Sequence, residues 1–386
     1  MQNQNSNSGK SRVIPLPPKS GITKVFSDTT VLYDREFNFK SYFDADSGVY
    51  LRTNILDDAG HATSEDSFMS SYPQLLDIGI MGHCAHGLDG ECAMKNGYCY
   101  QSGGHRHQPN MSLENYKRII DESAGRCFQV ALGGRGDPDM HENFEHILRY
   151  TREKDIVPNL TTSGYRLTPE KAALIAEFCG AAAVSWYRSD YTLRAIQMLL
   201  DAGVRTNIHF VLSPETLDEA IDFLERKTIP EGISRIIFLL FKPIGEGSGA
   251  NVLPIHAKTK KLFTLMESDY GIHKIGYDSC TVPGVIQFSP KIDPQGCDAC
   301  EAGRFSAYIT SDMHIVPCSF DQDLKWSINL ESISIQDAWR SERFDVFREK
   351  FTSTCQGCAK WQDCMGGCPI VPEITLCETK KIGGVL

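Results

Sequence analysis

Near its C-terminus the chain reads Cys355-Gln-Gly-Cys358, then Cys364, Cys368 and Cys377, a C-x2-C-x5-C-x3-C-x8-C pattern. Thiols this dense must be tied together by disulfides or by metal. The first residues, MQNQNSNSGKS, are polar and lack the apolar core of a secretory signal, so they read as a disordered tail. A cytosolic location is therefore expected, where 14 cysteines point to metal ligation rather than pairing. The spacing favours iron–sulfur clusters, with two zinc sites of four thiolates each as the alternative.

Composition narrows the class. The 386 residues allow two or three domains, with 41% apolar and 23% charged residues. No apolar run reaches about 18 residues, so no membrane span is expected. The net charge of −10 argues against nonspecific nucleic-acid binding.

Short strand-like pieces at Thr30–Tyr33 and Gly48–Arg52 suggest a small β-rich extension. From residue 75 strands and helices alternate. Strands are predicted at Leu76–Met81, Phe128–Leu132, Asn159–Thr162, Ala181–Ser185, Thr206–Leu212 and Arg235–Phe241. Ser112 and Thr168-Pro169 cap two of the helices, and Ser213-Pro214 is expected to open another. Six such units predict a partial (β/α)6 TIM-like barrel, an α/β fold. Three parts are expected: 1–74 as tail and β-rich extension, 75–270 as the barrel, and 271–386 as a cysteine-rich domain, where the periodicity fades.

Cys84, Cys92 and Cys99, spaced C-x7-C-x6-C, lie in the loop after the first barrel strand. In a β/α barrel that loop is at the C-terminal rim, where active sites are built. Three thiolates can hold a [4Fe–4S] cluster by three irons and leave the fourth open to a ligand. A zinc knob or buried free thiols are the alternatives.

Here the chain resembles the radical S-adenosylmethionine (SAM) superfamily, whose motif is C-x3-C-x2-C-aromatic, and Tyr100 supplies the aromatic residue. Each gap is four residues longer in this chain. A register keeping Cys92 and Cys99 in place puts Asn96 at the middle cysteine. Cys84 is preferred because Asn is a poor ligand for iron. Gly133-Gly134-Arg135-Gly136-Asp137-Pro138 stands where the family has Gly-Gly-Glu-Pro. The resemblance assigns Asp137 to the SAM ammonium group and Gly133 and Gly134 to close backbone approach. It assigns Thr161, Thr162 and Ser163 to the polar segment near SAM, Ser185 to the ribose, and Lys242-Pro243-Ile244-Gly245 to the adenine.

The C-terminal pattern resembles the SPASM extension of radical SAM proteins that act on peptides and proteins. That likeness assigns Cys355, Cys358, Cys364 and Cys377 to one auxiliary [4Fe–4S] cluster, and Cys300, Cys318 and Cys368 to the other. Cys297 is the expected fourth ligand and Cys280 its rival. Met313 replaces a family glycine. Cys127 and Cys179 read as core thiols, His83, His86, His105 and His107 mostly as solvated, and Trp186 and Arg188 as rim packing.

The resemblance implies three [4Fe–4S] clusters, reductive SAM cleavage to a 5′-deoxyadenosyl radical, and a ribosomally made peptide as substrate. The expected product is a thioether or C–C cross-link. A flavodoxin- or ferredoxin-type reductant is the expected electron donor. An anaerobic sulfatase-maturing activity and a non-catalytic pseudo-radical-SAM protein are the two rivals. The catalytic acid or base is not legible.

Overall fold

The computed structural model describes residues 12–14, 23–26, 29–90, 92, 97–355 and 357–378. The polar tail and Asn96 lie outside the described residues. Five antiparallel strands form the N-terminal extension: β1 (Arg12–Ile14), β2 (Thr23–Phe26), β3 (Thr29–Asp34), β4 (Phe39–Asp44) and β5 (Tyr50–Arg52). Phe43 packs on Phe128 with ring centroids 5.6 Å apart. The buried Arg52 guanidinium bonds Asp298 at 2.7 Å and Glu301 at 2.6 Å, locking this sheet to the C-terminal region. Breaking such a buried pair leaves a charge without its partner, which is costly.

The main sheet begins with β6 (Leu75–Ile78), β7 (Gln129–Leu132), β8 (Val157–Thr162), β9 (Ala182–Ser185), β10 (Thr206–Leu212), β11 (Ile236–Leu240) and β12 (Ile275–Tyr277). These run parallel in chain order. On the other side of β6 come β13 (Ser306–Ile309), parallel to it, then β14 (His314–Val316) and β15 (Ile328–Asn329), both antiparallel. The six expected barrel strands are β6 to β11. The sheet is longer than expected, because β12 to β15 continue it beyond residue 270. Those strands have two to four residues, too few to leave a periodic signal.

Side chains alternate across this sheet. Leu76, Ile78, Val130, Ile208, Phe210 and Phe238 are fully buried in the main core. The intervening residues Asp77, Ala131, Thr161, His209 and Leu239 line one cavity, so the sheet curls around it.

Two helix starts follow the sequence closely. Ser112 Oγ accepts from Asn115 N at the start of Leu113–Ser123, and Thr168 does the same from Lys171 N for Pro169–Phe178. The Ser213-Pro214 expectation is corrected: that helix runs Leu217–Arg226. Thr216 Oγ1 instead bonds the Val211 carbonyl and accepts from Ser213 N, closing a turn before the helix. Cys127 is buried and Cys179 caps the end of its helix against the core. Burial pushes each of these thiols up to about 12. No helix among the described residues is long and apolar enough to cross a membrane.

Candidate active site

One cavity of about 420 Å³ opens within the curled sheet. Its lining includes Cys84, Cys92, Cys99 and Tyr100 from the loop after β6. Gly133, Gly134 and Asp137 enter from the loop after β7, Thr161, Thr162 and Ser163 from β8 and its exit, and Ser185 from β9. Residues spread over a hundred positions of sequence therefore share one wall. The parallel register explains it, since every strand delivers its C-terminal loop to the same rim.

The first trio sits in a cradle of backbone donors. Cys84 caps the short helix Ala85–Leu88, and its Sγ accepts from Gly87 N at 3.2 Å. Cys99 Sγ accepts from Gly103 N at 3.3 Å. A Cβ on Gly103 would lie 3.5 Å from Cys84 Sγ and 3.6 Å from Cys99 Sγ, so a side chain there would fill the space between the thiols. Burial pushes the Cys84 thiol up to about 11, and nearby Asp137, Cys92 and Cys99 add to the rise. Iron must displace that proton to bind.

The loop after β7 presses on this cradle. A Cβ on Gly136, at φ +70°, would come within 2.5 Å of the His83 carbonyl. Gly134 has φ +100°, and a Cβ there would meet the Tyr308 hydroxyl at 2.4 Å. Gly134 thus makes room for a tyrosine of β13 as well as for close approach to a ligand. Asp137 accepts from Ser163 N and Ser163 Oγ, each at 2.6 Å. Burial, then the neighbouring Asp139, raises its carboxyl to about 7, against the pull of the Ser163 bonds. Thr162 is held by Asp139 at 2.9 Å, and Thr161 faces His209 at 3.5 Å. Arg135, at the expected glutamate position, donates to the Gln101 and Gly82 carbonyls and to Gln108 Oε1.

The C-terminal thiols fall into two groups. Cys355, Cys358, Cys364 and Cys377 line a separate cavity of about 30 Å³. Thr375 Oγ1 in its wall is buried and has no hydrogen-bond partner. Elsewhere Cys280 and Cys368 are both buried, and the neighbouring Cys368 thiol, then burial, pushes the Cys280 thiol well above the ordinary range. Cys280 also interacts with Cys300 and Cys318, and Cys300 with Cys318. Burial pushes Cys300 up to about 12 and Cys318 well above the ordinary thiol range. Cys297 stands apart and meets the Tyr277 hydroxyl at 3.1 Å. The buried Arg304 fixes this region by donating to the Cys300 carbonyl at 3.0 Å and to the Phe68 carbonyl at 2.7 Å.

Among the described residues no three His, Cys, Asp or Glu side chains converge closely enough to hold a single metal ion. Ligands of one zinc ion sit about 2.3 Å from it.

Residues 300–360 match the SPASM family of iron–sulfur cluster-binding domains. Mycofactocin maturase MftC of Mycolicibacterium smegmatis is 25% identical over 309 residues, 72% of this chain and 75% of that protein. The structure of Streptococcus suis SuiB bound to precursor peptide SuiA superposes with a TM-score of 0.63 at 14% identity. That match covers 88% of this chain and 94% of SuiB. The structure of anSMEcpe with bound AdoMet matches 77% of this chain and 89% of that one, with a TM-score of 0.56 at 18% identity. Residues 300–360 thus carry a SPASM-type iron–sulfur segment, and the chain shares the fold of SuiB and anSMEcpe.

In the SPASM segment, Met313 explains the family glycine it replaces. It closes the turn between β13 and β14 at φ +63°, a left-handed conformation in which glycine carries no Cβ penalty. Its side chain is buried in the main core, which offsets part of that cost.

Other lining residues went unread. Asp77, His209, Asp278 and Tyr308 all face the main cavity. Asp77 had a legible signal, a lone acid inside the apolar strand Leu75-Leu76-Asp77-Ile78. Lys242, read only as part of a backbone segment, is buried, ion-pairs with Asp278 and lies 4.8 Å from the Phe320 ring. Burial opposes its charge, but Asp278 prevails and pushes its pKa up. Of the four histidines, His105 and His107 are exposed, whereas His86 is buried, lines the cavity and stacks on Tyr165 at 4.5 Å. Trp186 and Arg188 both bond Glu219 and also line the cavity.

Proposed function

We propose that this chain is a radical SAM enzyme that modifies a ribosomally synthesised peptide, through a thioether or C–C cross-link. The observation that carries the reading is the single cavity shared by the Cys84–Cys92–Cys99 trio and the loops after β7, β8 and β9. The likeness to a protein named a mycofactocin maturase, and to SuiB solved with a precursor peptide, supports a peptide substrate. The three-part division at 74/75 and 270/271 belongs to the same proposal.

Cys84, Cys92 and Cys99 would hold the open-iron cluster. Cys355, Cys358, Cys364 and Cys377 would hold one auxiliary cluster. Cys280, Cys300, Cys318 and Cys368 would hold the other, with Cys280 taking the place expected for Cys297. When bound and reduced by a flavodoxin- or ferredoxin-type donor, the trio's cluster supplies the electron that cleaves SAM to a 5′-deoxyadenosyl radical. The chain's own residues orient and enclose. Asp137, braced by Ser163, would take the SAM ammonium group, Thr161 and Ser185 would line the nucleoside, and the curled sheet would keep water from the reacting C–H bond.

Anaerobic incubation of cluster-loaded protein with SAM, reductant and a small peptide encoded nearby tests the reading. A mass change in the peptide is expected. A two-dalton loss without a cross-link would favour the sulfatase-maturing rival. SAM cleavage with an unchanged peptide would overturn the peptide substrate, and no deoxyadenosine from fully loaded protein would favour the non-catalytic rival.

Asp137 gives a pH signature. A carboxyl raised to about 7 pairs with the SAM ammonium group only when ionised, so the ion pair should be strongest between about pH 7 and the pKa of that ammonium group, about 8. SAM affinity should fall as pH drops through 7, by up to about tenfold per unit. Equilibrium binding between pH 8 and 5.5 measures this. Asp137→Asn should bind SAM weakly at every pH, with a flat profile.

A further inference from the structure

Strand β6 places an acid where barrel strands ordinarily present apolar side chains to the interior. Its neighbours Leu76 and Ile78 are fully buried in the core on the opposite face. Asp77 therefore points into the main cavity, flanked in register by Tyr308 of β13 and Ala131 of β7.

The other charged side chains of this cavity are accounted for. Arg188 bonds Glu219, and Lys242 bonds Asp278. Asp137 is held by Ser163, and Arg135 is spread over three oxygens. Asp77 differs. Among the described residues its carboxyl accepts no hydrogen bond and pairs with no cation, and the one charged group acting on it is the like-charged Glu301. Burial pushes His209 down to about 4, so that ring is neutral and brings no cation to the cavity. Asp77 is half-buried, with its side chain lining the cavity. A carboxyl partly withdrawn from water and without a partner is unfavourable unless something else supplies the partner.

We infer that Asp77 is a specificity-determining residue that binds a cationic group, an ammonium or guanidinium, of the substrate. A cation satisfies both the unmet acceptors and the charge facing the cavity, whereas a neutral donor leaves the charge uncompensated. The inference rests on the proposed function only in taking the ligand to be part of a peptide. Asp77 would then select peptides with a basic residue at or beside the modified position.

The test uses cluster-loaded protein, oxidised so that SAM is not consumed, and saturated with SAM. Titration calorimetry compares propylguanidinium with the neutral isostere propylurea. The cation should bind at least about tenfold tighter. That preference should fall to about one in Asp77→Asn and largely survive in Asp77→Glu. Equal binding of the two probes to the unaltered protein would overturn the inference without any variant. A preference that persists in Asp77→Asn would also overturn it. A preference seen only without SAM would make the SAM sulfonium the partner and sink the proposal. The peptide-mass assay is read separately: an unmodified peptide beside an intact cation preference would reject the peptide reading and leave Asp77 standing.

Discussion

Replacing Cys84, Cys92 and Cys99 together by alanine should lower iron content from about twelve to about eight atoms per chain and abolish deoxyadenosine formation. The three thiols line the main cavity, and two of them accept backbone N–H bonds at 3.2 and 3.3 Å. A mononuclear zinc knob would instead release one zinc ion and leave iron unchanged. The auxiliary cavity of about 30 Å³ lies elsewhere in the chain, so its cluster should load normally in the variant. Iron and sulfide analysis beside anaerobic SAM cleavage reads both effects. Retention of all the iron would overturn the assignment of the trio.

Cys280→Ala and Cys297→Ala should behave oppositely. The Cys280 thiol is buried, and Cys368, Cys300 and Cys318 are near enough to shift or be shifted by it electrostatically. Its loss should cost about four irons, or leave a cluster with altered spectroscopic features. The Cys297 thiol faces the Tyr277 hydroxyl, and its nearest charges are Asp298, Asp293 and Asp363. Its removal should leave iron content and cluster spectra unchanged. Iron analysis and electron paramagnetic resonance of the reduced variants decide between them. Cluster loading should also weaken as pH falls, because the neighbouring Cys368 thiol and burial hold the Cys280 thiol protonated and iron must displace that proton.

This pair of cysteines shows where sequence reasoning stopped. Cys297 lies three residues from Cys300, so chain proximity favours it. The case for Cys280 in the proposed cluster comes instead from β12, whose pairing with β11 places the turn at Asp278–Cys280. Local signals fared better. Ser112 and Thr168 each predicted their helix starts because a cap bond spans only three residues. Ser213 failed because Thr216 took the bonds that would have started the helix earlier. Which histidine lines the cavity was not legible, because the burial of His86 depends on Tyr165 and Tyr191 from other elements.

By itself the sequence determined the alternation of strand and helix, since periodicity acts over a few residues. Only the tertiary structure decided which thiols share a site and what faces the cavity. The pairing of β6 with β13 sets Asp77 beside Tyr308, and the pairing of β9 with β10 sets Ser185 beside His209. These are contacts between distant segments, fixed when the sheet curls and buries its outer face, and no local pattern records them.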